Sequence, residues 1–195
     1  PEGIRLDVIG GDEPHGLCGS GILAVVRELV RNGLVTRRGA FARPEDFEVG
    51  DYRRDILRYN GTKREALLYS SGETELLVTQ SDVRQVQLAK GAIRSGIEVL
   101  LSHGGLTYED IDKVLIAGQF GAHLPAESLL QIGLLPPVTE DKLAYAGNSA
   151  KSGAVAALLS DEVKEEMEAL AKHIQYIELG SSDNYERLFA KCLLF

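Results

Sequence analysis

Tryptophan is absent, methionine occurs once and cysteine only twice in the 195 residues. Two cysteines, Cys18 and Cys192, cannot build a disulfide framework, and a structural zinc site needs about four ligands. His15, His103, His123 and His173 show no metal-ligand spacing, so no metal-binding residue is assigned, and a reduced, cytoplasmic setting is expected. Positive charge is also scarce. Lysine and arginine number 21 against 29 acidic residues, a net charge of −8. A phosphate-backbone binder needs a basic face, which argues against nucleic acid as a partner. No apolar run reaches the roughly 18 residues of a membrane span, which argues against a membrane partner. No charged region followed by an apolar core opens the chain as an export signal would. What remains is an ordinary globular mix, 44% hydrophobic and 26% charged, able to bury roughly 70% of its unfolded surface. The chain begins at Pro1 and is expected to be a piece of a longer polypeptide.

Periodicity supplies the elements. Residues 4–9 alternate Ile4, Leu6 and Val8 with Arg5 and Asp7, which predicts a strand. Ile22, Val25, Val26, Leu29 and Val30 predict a helix over 20–32. Residues 37–80 change character: they are polar, glycine-dotted and β-rich, and read as an insertion or subdomain. Within it, 65–69 and 74–79 flank Ser70-Ser71-Gly72-Glu73 as a hairpin. The strongest helix covers 81–103. Thr79 and Asp82 fit a capping box, and Val83, Val86, Ala89, Ile93, Ile97 and Leu100 form its apolar stripe. Residues 113–117 predict a buried strand, 125–134 a helix, and 143–146 a short strand. The helix over 148–160 is crowded with small residues and is expected to pack closely on another element. A helix over 161–173, a strand over 175–179 and a helix over 184–194 complete the chain. Strands alternating with helices give an α/β fold.

Three glycine turns open helices. Gly16-Leu17-Cys18-Gly19-Ser20-Gly21 lacks the Lys-Ser/Thr of a Walker loop and is not G-x-G-x-x-G. Such a turn exposes backbone N–H groups and the positive end of a helix dipole, where an anion can sit; close helix–strand packing explains the same glycines equally well. Gly118-Gln119-Phe120-Gly121 follows the buried strand. It offers bare backbone to a flat ligand, or supplies only the positive φ of a tight turn. The third turn is Gly147-Asn148-Ser149-Ala150, where Asn148 serves as an N-cap. On the long helix Gln87, Arg94 and Glu98 share a face, about 20° apart, with Lys90 about 60° away. A solvated polar face is the plain reading of that pattern.

The order of these pieces resembles the second half of an actin-like ATPase, the superfamily of sugar kinases, heat-shock chaperones and actin. A closer resemblance is to the reductive activators of corrinoid-dependent enzymes. It is carried by Gly16-Leu17-Cys18-Gly19-Ser20-Gly21-Ile22 and by the run from Thr79 to Ile93 that contains Gln87-Leu88-Ala89-Lys90-Gly91-Ala92-Ile93. Ala117-Gly118-Gln119-Phe120-Gly121 and Ile132-Gly133-Leu134-Leu135-Pro136 carry it too, as does the ending after Tyr176-Ile177-Glu178-Leu179. The resemblance implies a ribonuclease-H-like ATPase lobe of the actin, sugar-kinase and chaperone type. Residues 1–195 would form its C-terminal part, with 37–80 as the β-rich insertion.

The function implied is ATP-dependent return of a Co(II) corrinoid protein to Co(I). An iron–sulfur cluster would sit only in an N-terminal domain outside this chain, and ATP would be used with Mg²⁺ by the full-length protein. ATP and a corrinoid protein are the implied partners, and a homodimer stays open. Gly118, Gln119, Phe120 and Gly121 would form the adenosine turn. Gln87 and Lys90 would meet adenosine from the helix, and Gly19, Ser20 and Gly21 would lie near the phosphates. The superfamily's two Asp-x-Gly loops, which hold phosphate and metal, have no counterpart among these residues. No catalytic residue is therefore assigned, and residues 1–195 alone are not expected to hydrolyse ATP. Two alternatives remain: an activator of a 2-hydroxyacyl-CoA dehydratase, which would need a second cysteine near Cys18, and a docking module that keeps the fold without nucleotide turnover.

Overall fold

A computed structural model describes residues 3–11, 13–72, 74–118 and 121–195. The first expected helix forms as α1 (Gly19–Arg31). Cys18 is its N-cap: the thiol sulfur accepts from the Gly21 amide at 3.4 Å, engaging one of the helix's free donors. A five-residue helix α2 (Tyr52–Ile56) then leads into β1 (Leu57–Asn60), β2 (Lys63–Ser70) and β3 (Glu75–Thr79). The three strands form an antiparallel sheet in that order. Ala66 pairs with Leu57 on one side and with Val78 on the other, and all three are buried. The strands of the 37–80 stretch all lie within residues 57–79, after α2, and the expected hairpin is β2–β3.

Helix α3 (Gln80–His103) carries the complete capping box, with Thr79 and Asp82 exchanging bonds. It lies between two apolar clusters. Val83 joins Leu29, Phe41, Ala66 and Val78 against the sheet. Val86 joins Leu23 and Val26 of α1 with Leu124, Leu129 and Ile132. These last two belong to, and follow, α4 (Ala126–Gln131). Full burial of each such side chain is worth roughly 1.5–3 kcal/mol, so α1, α3 and α4 form one block.

A second sheet has two parallel strands, β4 (Val114–Ala117) and β5 (Leu143–Gly147). Helices α5 (Ser149–Leu159) and α6 (Asp161–Ala171) follow and pack on each other. Four expectations are corrected here. Residues 4–9 and 175–179 are irregular, not strands, because neither finds a ladder partner among the described residues. The strand at 114–117 forms but is not buried: Leu115 is 66% exposed, since a two-stranded parallel sheet covers only one of its faces here. The small-residue helix α5 has no buried residue, and Leu158 and Leu159 are 83% and 80% exposed. It packs on α6, as its small side chains lead one to expect, and leaves its other side exposed.

The last correction concerns the polar side of α3. It is not solvated, because α7 (Tyr185–Cys192) lies along it. A helix C-terminus leaves carbonyls without intrahelical donors. Lys90 Nζ donates to the carbonyls of Cys192 and Leu194 at 2.7 and 2.6 Å, and Gln87 Nε2 donates to Leu193 at 2.9 Å. The Lys90 ammonium also faces the Phe195 ring. Gly39 enters the same arrangement. Its φ is +82°, and a Cβ there would come within 2.3 Å of the Gln87 side chain.

Two outcomes follow from this packing. In the protein, Gly39→Ala should lower stability by about 1–2 kcal/mol from the left-handed backbone alone. It should also raise amide exchange in α7, as Gln87 is pushed off Leu193; unchanged α7 exchange would refute the linkage. The second outcome is a pH dependence. Burial, then Arg94, pushes Lys90 down to about 8, well below the ordinary lysine value near 10.4. Between those values the unfolded chain holds more protons, so stability rises as pH increases from about 8 to 9. A neutral amine still donates to both carbonyls. The protein should gain about 1 kcal/mol over that window relative to Lys90→Met, measured by denaturant midpoints at each pH. Burial raises the Cys192 thiol, which works in the opposite sense at the upper end of the window; the comparison with Lys90→Met isolates the lysine.

Candidate functional site

A cavity of about 900 Å³ opens between the start of α1, one flank of α3 and the end of β4. Its volume lies within the range of small-molecule sites. Leu17, Gly19 and Leu23 come from the first turn and α1, Asp82, Gln85 and Ala89 from α3, and Gly118 and Gly121 from the loop after β4. The walls are mainly apolar, which suits the face of a flat ring. The β4 ladder extends into the loop, because the Gly118 amide donates to the Gly147 carbonyl at 2.8 Å. Gly118 then turns with φ +99°, and among the described residues nothing lies within 4 Å of where its side chain would be. Tyr145 of β5 donates to the Leu124 carbonyl at 2.5 Å and holds the loop's far end.

The residues proposed from sequence are only partly brought together. Gly19, Gly118 and Gly121 line this one cavity. Ser20 and Gly21 do not; they turn to a second cavity of about 870 Å³ on the other side of α1, with Cys18, His123 and Pro125. Gln119 and Phe120 lie outside the described residues. Gln87 and Lys90 are absent from the walls of both cavities. They are 2% and 1% exposed, and their donors are engaged by the carbonyls of residues 192–194. In this structure they face the last residues of the chain and neither cavity. The flank of α3 that faces the cavity is Asp82, Gln85, Ala89 and Ile93. Gln85 is the exposed polar side chain there and was missed. Its signal was available: 82, 85, 89 and 93 recur at helical spacing, and two of them already belonged to the apolar stripe.

Electrostatics around the first turn are set by Cys18. Its thiol is exposed and lies 3.3 Å from Ser20 Oγ. That hydrogen bond first, and the Gly21 amide second, hold it below the ordinary thiol value, as expected at a helix N-terminus. Cys192 is buried at the end of α7, so the two cysteines occupy different environments. Among the described residues no three His, Cys, Asp or Glu side chains are placed to share a metal ion. Asp82 is the carboxylate on the main cavity wall, and its Oδ2 already accepts from the Thr79 amide and hydroxyl at 2.8 and 2.7 Å. The donor set in these residues does not fit a magnesium or iron–sulfur site. Among the described residues no helix is long and apolar enough to cross a membrane.

Residues 2–195 match the family described as the C-terminal domain of RACo, the ASKHA domain. The corrinoid activation enzyme RamQ of Eubacterium limosum is 31% identical over 196 residues, which is 98% of this chain and 33% of RamQ. A reductase of Methanosarcina barkeri, named for a Co(II) methylated amine-specific corrinoid protein, is 25% identical over 114 residues, 57% of this chain and 21% of its own. The solved structure of a reductive activator for corrinoid, iron-sulfur protein superposes with a TM-score of 0.81 at 31% identity, covering 95% of this chain and 29% of that one. The chain spans no more than about a third of the length of these relatives. Its glycine turns, its α/β layers and its similarity along almost the whole sequence agree, and the chain belongs to the RACo C-terminal domain family, with the ASKHA fold of actin-like and sugar-kinase proteins.

Proposed function

We propose that this chain is the nucleotide-binding domain of an ATP-dependent reductive activator that returns a Co(II) corrinoid protein to Co(I). The observation that carries the reading is the shared cavity: Gly19 at the start of α1 and Gly118 and Gly121 after β4 lie on one open wall system in a chain of this family. The helix start would offer backbone N–H groups and its dipole to phosphate. Gly118 would leave room for adenosine, while Gly121, whose Cβ position lies 2.7 Å from Ile116, lets the loop close on β4; Ala89 and Ile93 would be an apolar surface and Gln85 the polar group of α3. Gln119 and Phe120 remain part of the proposed turn by their place in the motif.

ATP binding would supply the free energy that makes an uphill electron transfer to cobalt possible. The reduction adds one electron to Co(II), and in this proposal the electron comes from an iron–sulfur cluster in another part of the full-length protein. The cysteines here support that division, since one caps α1 and the other is buried under α3. Carboxylates for a magnesium ion would likewise come from outside these residues, because Asp82 is engaged in its capping box. A dehydratase-type cluster at Cys18 is less well supported, because the thiol is engaged with Ser20 and the Gly21 amide.

The test is titration of the full-length protein with a fluorescent ATP analogue; the tryptophan-free chain contributes no indole background. Saturable binding is expected. Gly118→Val, which forces a β-branched residue to positive φ, should weaken it by about tenfold or more, near 1.4 kcal/mol. Lys90→Met should leave affinity unchanged. Absence of saturable binding, or loss of binding in Lys90→Met alone, would sink the assignment. Reduction is then followed optically: the Co(I) corrinoid spectrum should develop only when ATP is present with the reductant and the corrinoid protein.

A further inference from the structure

The two glycine turns belong to different parts of the fold. One opens α1; the other precedes α4. Leu23 and Val26 of α1 pack with Leu124, Leu129 and Ile132, but apolar packing is non-directional and fixes separation better than registry. One polar contact spans the same gap. Arg27 Nη1 donates to Glu127 Oε2 at 3.0 Å and to Ser128 Oγ at 3.1 Å. Its Nε and Nη2 both donate to Glu28 Oε1, at 3.0 and 2.8 Å. The guanidinium is thus held flat by its own helix while its free edge grips the first turn of α4. Its side chain is only 16% exposed, and Ser128 is fully buried. Arg31 is 3.8 Å from both Glu28 and Glu127 and adds a looser second contact.

A planar fork with two occupied edges sets direction as well as distance, which a lysine ammonium cannot do. We infer that Arg27 is a positioning residue: it fixes the registry of α1 against α4, and so the spacing of the Gly19 turn from the Gly118–Gly121 loop across the cavity. It touches no ligand itself. The inference deepens the nucleotide reading and rests on it for its functional consequence, but the geometric part stands by itself.

The experiment measures geometry and binding separately in the full-length protein. Spin labels go on Gly16→Cys, where an added side chain meets nothing within 4 Å, and on His123→Cys, which is exposed. Cys18→Ser keeps a good N-cap and removes the exposed thiol of residues 1–195, Cys192 is buried, and a control without the two introduced cysteines subtracts labelling elsewhere in the full-length protein. The starting protein should give one narrow label–label distance. Arg27→Met should broaden or shift it while melting stays cooperative, and Arg27→Lys should fail to restore it. Where Arg27→Met does not fold, Glu127→Ala with Ser128→Ala removes the same grip from the other side. Nucleotide affinity should fall by about tenfold, near 1.4 kcal/mol. An unchanged distance distribution in these variants, or full restoration by lysine, overturns the inference. A changed distance with unchanged, saturable nucleotide binding upholds the registry claim and overturns its consequence for the site. A changed distance in a protein that binds no nucleotide leaves the positioning intact and removes the nucleotide reading instead.

Discussion

Helix α3 must satisfy three neighbours with one helical surface, and the remainder of the molecule is arranged around that constraint. Val83 faces the antiparallel sheet, Val86 faces α1 and α4, and Gln87, Lys90, Gly91 and Ser95 face α7. The flank left over, from Asp82 to Ile93, is a wall of the main cavity. A helix repeats every 3.6 residues, so only a residue between two directions, as Val86 is between the α1–α4 cluster and the cavity, borders both. Assigning Lys90 to α7 removes it from the cavity as a matter of geometry. The two roles compete for one position on the helical surface.

The first turn of α1 has a similar divided allegiance. Gly19 belongs to one cavity and Ser20 and Gly21 to another, so the turn is a thin partition. Cys18 stabilises that partition by accepting from Gly21. The cap also lowers the number of free amides the helix start can offer to an anion. Any phosphate held there would rely on the remaining N–H groups and on the dipole of the 13-residue helix, whose influence falls off within its first turn.

Much of the fold was legible because its signals are local. The capping box at Thr79 and Asp82, the apolar spacing of α1 and the hairpin β2–β3 all report residues within a few positions of each other. The cavity glycines Gly19, Gly118 and Gly121 were legible as turn formers, and their convergence followed from motif order. The errors share a different cause. Residues 4–9 alternate as a strand should, but a strand forms only when another strand offers its ladder. The polar positions of α3 read as solvated because the docking of α7 is a contact about a hundred residues away in sequence. Gln85 was overlooked although it shares the helical spacing of 82, 89 and 93, because an exposed glutamine reads first as a solvated residue.

The case of Gln87 and Lys90 bears on how motif positions are transferred between related chains. Polar residues inside a specific run invite a ligand-binding role, since burying an uncompensated charge is costly. The end of a helix supplies an equally strong reason for their presence. Helix α7 stops with carbonyls that lack intrahelical donors, and the last residues fold back over α3, where water is excluded. An ammonium with three donors and an amide with two meet that need directly. Cys192, Leu193 and Leu194 receive three of those bonds, and the positive charge also complements the negative end of the helix. Counting donors and acceptors separates the two roles where the motif does not. A side chain whose hydrogen-bonding capacity is already taken by buried backbone is a structural residue, and one that faces open space beside a glycine turn, as Gln85 does, is the better candidate for contact with a ligand.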